Sequence, residues 1–149
     1  MQWLMNRATA LGLKVVWHDL GRRNGELTSG GFVILNPLKS EATQKVTLAH
    51  EIGHWVYGHD WRQRHDRERD ERQADTYAAR LLISPADYAL AEHLVGPHAG
   101  ALAKELEVTR RLIQVWQASM AKGMAKLAAS QPYCHGCRNN KTPACLQGF

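Results

Sequence analysis

The chain has 149 residues, of which 44% are hydrophobic and 22% charged, and a formal net charge of +5. Those are the proportions of one ordinary globular domain, long enough to bury a core without disulfides. No apolar run is long enough to span a bilayer, and MQWLMNRATALGL lacks the basic start and apolar run of a signal peptide, so the expected location is the cytoplasm, away from membranes. Positive charge favours acidic partners, nucleic acid among them. Much of the charge, however, lies in HDWRQRHDRERDERQ (59–73), whose mixed signs suit a solvated helix face or a mobile connection.

In chain order, Trp3, Leu4, Ala8 and Leu11 recur at helical spacing over residues 2–11, with Gly12 as a helix stop. LKVVWHDL (13–20) is rich in β-branched residues and predicts a strand, and GRRNG (21–25) is turn chemistry. GELTSGGFVILN (25–36) predicts two strands joined at Ser29-Gly30-Gly31. A helix is expected from about Ser40 to Gly58, a second over about 66–83, and a third from Ser84-Pro85 to Gly96-Pro97. Two more, over about 98–106 and 109–128, precede a cysteine-bearing tail. This order predicts an α+β fold: a small antiparallel three-stranded sheet, one chemically equipped helix and a predominantly helical C-terminal half.

The chemistry concentrates in His50-Glu51-Ile52-Gly53-His54. Residues four apart share one face of a helix, so both imidazoles can reach one metal ion. Zinc suits this donor set because it takes nitrogen and oxygen ligands tetrahedrally. Glu51 stands beside the first histidine, where a carboxylate can take a proton from a water polarised by the metal and pass it to a leaving amine.

A catalytic zinc needs three protein ligands and one open position. Glu71 and Asp75 lie four apart on the next helix, which suggests a division of labour: Glu71 on the metal, Asp75 holding the outer nitrogen of a ligating histidine. Asp75 borders a stripe of Ala74, Tyr77, Ala78, Leu81 and Leu82, where a carboxylate needs a partner. His59, Asp60 and His65 are the fallback third ligands. Tyr57, His59, Tyr77 and His65 are candidates by residue type for stabilising an oxyanion, and the strand at 31–36 is a candidate edge for an extended substrate.

LAHEIGH (48–54) followed by ERQADTYAARLLISP (71–85) resembles the ImmA/IrrE family of metallopeptidases, which shows LAHELGH and then E-x-E-A-N-x-F-A-x-x-L-L-M-P. Glu71, Ala74, Asp75, Tyr77, Ala78, Leu81, Leu82 and Pro85 fall at or near the matching places. ATALGLKVVWHDL and GGFVILNP also resemble the family's N-terminal part, so the likeness covers roughly residues 1–118. Two departures are visible: Gln73 replaces the second glutamate, and Ser84 lengthens the last element by one residue. The resemblance implies an intracellular zinc peptidase, encoded in several cases on phages or mobile elements, that cleaves a helix-turn-helix repressor and so derepresses genes. It also implies a metallopeptidase domain over residues 1–128.

Within that span, ALAKELEVTRRLIQVW (101–116) has a helix-turn-helix pattern, placing the unit at about 98–118. Ala103 is a small residue in the first helix, Leu106 is apolar before the turn and Val108 in it, Thr109 is an N-cap, and Leu112, Ile113 and Trp116 face inward, while Glu107 stands where glycine is commonest. Arg110 and Arg111 open the second helix, where they could meet DNA or a repressor. The competing reading is a structural support, since two arginines are a thin basic footprint. In the tail (129–149), Cys134-His135-Gly136-Cys137 and Cys145 offer part of a structural metal site or a set of free thiols.

Three functions follow as expectations. The first is a narrow-specificity zinc endopeptidase acting through His50, His54, Glu71 and Glu51. The second is a regulatory protein that binds DNA or a repressor without cutting, which would leave Glu51 without a purpose. The third is hydrolysis of a non-peptide substrate by the same site.

Overall fold

The structure is a computed structural model, and it describes residues 1–59 and 67–129. Helix α1 (Gln2–Ala10) buries Leu4 and Ala8 on one face. Gly12 then takes a φ of +82°, which a glycine adopts at no steric cost, and turns the chain into strand β1 (Lys14–Trp17). Strands β2 (Gly25–Leu27) and β3 (Phe32–Leu35) follow.

The sheet is mixed, in the order β1-β3-β2, and so corrects the antiparallel expectation. β2 and β3 form the expected antiparallel hairpin, but β1 runs parallel to β3, with Lys14 opposite Phe32 and Trp17 opposite Leu35. The physical reason lies in β3 and in the residue after it. β3 carries the fully buried Val33 and Leu35, and the central position covers both of its edges. Asn36, also fully buried, donates from Nδ2 to the carbonyls of Gly21 (3.0 Å) and Arg23 (2.9 Å). Its Oδ1 accepts from the backbone N–H of Leu38. Those bonds hold the 18–24 segment across the end of β3, so that the chain reaches the far edge before returning. β3 therefore offers no free edge to a substrate, contrary to the expectation for 31–36; among the described residues the sheet edges are β1 and β2.

Helix α2 (Glu41–Tyr57) is capped as its sequence suggests. Ser40 Oγ accepts from the Thr43 N–H, and Gly58 closes the helix at a φ of +64°. Helix α3 (Arg67–Leu82) buries Ala74, Ala78 and Ala79. Small residues let α2 and α3 meet nearly backbone to backbone: a Cβ on Gly53 would sit 3.0 Å from Ala74 Cα. This close crossing sets the two chemically equipped helix faces side by side.

Helix α4 (Pro85–Val95) starts at Ser84, whose hydroxyl accepts from the Asp87 N–H, with proline in the first turn. Helices α5 (Ala99–Glu105) and α6 (Arg110–Ala129) complete the described chain. Leu112, Ile113 and Trp116 are buried as expected, and Ala103 and Val108 are buried with them. Glu107 occupies the left-handed region at a φ of +51°, where glycine is free of the cost of about 1 kcal/mol that a side chain brings. Trp116 stacks on Tyr88 at 4.0 Å and donates its Nε1–H to the Ile83 carbonyl, so the α5–α6 unit is part of the core. Among the described residues no helix is long and apolar enough to cross a membrane. The architecture is α+β.

Candidate active site

His50 and His54 lie one turn apart on α2, half-buried, and face Glu71 of α3. One ligand atom from each of the three lies within 4.8 Å of the other two. The separations are 3.0 Å between the two Nε2 atoms, 3.3 Å from His50 Nε2 to Glu71 Oε2, and 3.9 Å from His54 Nε2 to Glu71 Oε1. Tetrahedral ligands about 2.0–2.1 Å from a zinc ion stand about 3.3 Å from one another. The three donors therefore fit a zinc-sized cation. Glu71 is the most open of the three, its side chain 43% exposed, which leaves one side of the group accessible.

Each imidazole is held from behind. His50 donates Nδ1–H to Asp75 Oδ1 at 2.9 Å, and Asp75 Oδ2 accepts from Arg111 Nη2 at 2.8 Å. Asp75 thus meets the His50 nitrogen that does not face Glu71. The other end of that carboxylate reaches α6, a contact that no spacing in the sequence anticipates. Arg110 and Arg111 are both exposed, as a helix-turn-helix face requires, but Arg111 is paired with Asp75.

Behind His54 stands His59, whose Nδ1 lies 2.9 Å from His54 Nδ1. His59 Nε2 meets Gln73 Oε1 at 3.1 Å and Asp70 Oδ1 at 3.5 Å. Both of those oxygens only accept, so His59 carries its hydrogen on Nε2 and accepts on Nδ1. His54 then donates Nδ1–H, and its Nε2 holds a lone pair. Asp75 imposes the same tautomer on His50. Two imidazole nitrogens 3.0 Å apart, joined by a carboxylate, repel one another unless a proton or a metal cation lies between them.

This arrangement assigns His59 a place that sequence reasoning missed. As a fallback third ligand it is not supported, because both its nitrogens are engaged away from the His50–His54–Glu71 cluster. The available signal was Gly58: a left-handed residue at a helix end folds the next one back onto the last turn, and the His59 N–H bonds the His54 carbonyl at 3.0 Å. Gln73, notable in the sequence as a departure, acts as the acceptor that orients His59. The other fallback ligands, Asp60 and His65, lie outside the described residues, as do Cys134, Cys137 and Cys145. Among the oxyanion candidates, Tyr77 accepts from Arg7 at 3.2 Å, and Tyr57 stacks on the His59 ring at 5.5 Å.

The electrostatics separate the groups. Burial lowers the His54 pKa to about 4, helped by the neighbouring His50 and His59 and opposed by Glu71 and Asp70. At neutral pH His54 is therefore uncharged, as a metal ligand must be. Burial also acts downward on His50, but the hydrogen bond to Asp75 and the charges of Glu51, Asp75 and Glu71 outweigh it and leave the pKa raised. Asp75 is held below the usual carboxylate range because its bonds to His50 and Arg111 outweigh its burial. Glu51 moves the opposite way. Burial, reinforced by the charges of Glu71 and Glu26 and opposed by His50, pushes its carboxyl up to about 7. A carboxyl titrating near neutrality can both accept and return a proton.

A half-buried His-His-Glu group backed by carboxylate and imidazole, beside a carboxyl poised near pH 7, is the equipment of a hydrolytic metal site. Residues 8–115 match the IrrE N-terminal-like domain, a peptidase family, and the chain belongs to that family. Among curated proteins, none matches the chain. The match takes in the sheet, α2, α3 and the start of α6 through Val115, so the outer support from Arg111 lies inside the family domain.

Proposed function

We propose that this protein is a cytoplasmic zinc-dependent endopeptidase that cleaves a helix-turn-helix transcriptional repressor and so releases the genes it silences. One observation carries the zinc reading: the two imidazole lone pairs and the Glu71 carboxylate converge at separations suited to a tetrahedral cation. Oxygen and nitrogen donors without sulfur, half-buried and open on one side, support a catalytic role for that ion. When bound, zinc supplies Lewis acidity toward the scissile carbonyl and the attacking water.

The chain's own residues do the rest. His50, His54 and Glu71 hold the metal; Asp75 and His59 fix the ring orientations. Glu51 takes the proton of the attacking water and delivers it to the departing amine, a cycle that suits a carboxyl titrating near 7. Residues 1–128 make up the peptidase unit. Segment 98–118 serves as its support: its core residues are buried and Arg111 braces Asp75. That commitment of Arg111 weighs against the rival reading, in which the same helix reads DNA.

The test is incubation of the zinc-loaded protein with a repressor encoded beside it, followed by mass spectrometry. Cleavage at one site is expected, and Glu51→Gln should keep its zinc and lose cleavage. If Glu51→Gln relieves repression as well as the wild type does, the protein acts by binding alone.

A further inference from the structure

Helices α3 and α6 leave an open groove of about 540 Å³ alongside the His50–Asp75–Arg111 chain. On α3 it is lined by Arg69, Arg72, Thr76 and Arg80, spaced three and four apart and so forming one stripe of the helix. On α6 the lining ends at Lys122. All four cations are exposed. Arg72 shares Glu68, but among the described residues no acid pairs with Arg69, Arg80 or Lys122. The groove's own acid, Asp75, has one oxygen on His50 and the other on Arg111. The lining also includes Val115 and Ala118, which add aliphatic surface beside the charges.

We propose that this groove binds an acidic segment of the polypeptide substrate and thereby sets which protein is presented to the metal site. The inference deepens the peptidase reading and rests on it for its consequence, though not for the binding itself. Adjacency carries the argument. Asp75 and Gln73 line the groove and also touch His50 and His59, so a chain lying in it passes directly behind the two histidines. Like charges held along a partly apolar channel lower the free energy of an extended acidic chain, whose side chains reach both walls. A duplex suits the groove less well. It needs cations free to meet phosphates on a projecting surface, and the exposed guanidinium of Arg111 is engaged by Asp75.

The test uses the full-length Glu51→Gln protein, zinc-loaded, with fluorescein-labelled octaglutamate as probe and anisotropy as readout. Octaglutamate is expected to bind, to weaken as salt is raised, and to lose about fivefold in affinity in Arg72→Gln/Arg80→Gln, two exposed and screened positions. Charge reversal to Arg72→Glu/Arg80→Glu should shift the preference to octalysine, with zinc content unchanged. Octaglutamate that does not bind, or that binds the neutralised variant equally well, overturns the proposal. So does a single-stranded oligonucleotide that outcompetes octaglutamate at the same arginines, since that would mark a nucleic-acid site. A failure of the peptidase reading is separate: wild type would then bind octaglutamate with the arginine dependence above, yet cut no acidic-flanked peptide.

Discussion

The two histidines of the site are supported in different ways. Behind His50 stand a carboxylate and, beyond it, a guanidinium drawn from α6, nearly forty residues away in sequence. Behind His54 stands a second imidazole, delivered by the turn that ends its own helix and oriented by Gln73 and Asp70. One brace is a carboxylate and guanidinium brought from across the fold, the other an imidazole supplied locally. The difference is written in the titration of the rings: the acid raises His50, whereas burial and its imidazole neighbours take His54 down to about 4. Both braces nevertheless impose the same tautomer. Delivering two Nε2 lone pairs to one point is therefore the common purpose, and the charge of the support is free to differ.

This contrast can be broken by substitution. Asp75→Ala removes the charged brace and strands both the His50 Nδ1–H and Arg111; zinc affinity, measured by chelator competition, should fall by about a hundredfold, the upper end for such outer partners. Glu51 should show the next effect, in the metal-free protein. Its carboxyl titrates near 7 in the folded chain against an ordinary 4.5, so between those values the folded state holds a proton that the unfolded state has lost. Stability then declines as pH rises through that window, with the full cost present above it. Glu51→Gln should accordingly stabilise the metal-free protein by about 2 kcal/mol at about pH 8 and by little at about pH 4.5, as measured by urea unfolding. An equal effect at both pH values would contradict a buried, neutral carboxyl.

His59→Ala removes only the local brace and should cost about tenfold in zinc affinity, the lower end of the same range. Arg111→Ala should cost least, about threefold, because the guanidinium is 78% exposed and acts only through Asp75. If Arg111 outranked His59, the charged brace would depend on its outer end far more than its exposure implies.

Much of the site was legible because it is periodic. His50, His54, Glu71 and Asp75 each lie one turn from a partner on the same helix, and helical spacing alone predicts which faces they share. The caps at Ser40, Gly58 and Ser84 were legible for a similar reason, each being a local side-chain or backbone requirement. Contacts made across the fold were not. No spacing relates Arg111 to Asp75, because the α3–α6 packing that joins them is decided by Ala78, Ile113 and their neighbours in a shared core. The parallel pairing of β1 with β3 was hidden as well: GRRNG reads as a tight reversal, and only the buried Asn36 shows that the segment is held across the sheet instead.

The most direct test of the central claim is the zinc content of the purified full-length protein compared with that of a His50→Ala/His54→Ala double variant shown by circular dichroism to be folded. Loss of one zinc per chain is the predicted result, whatever the tail cysteines hold. Equal zinc in the two proteins would contradict the account, because the converging histidines would then not be where the metal is bound.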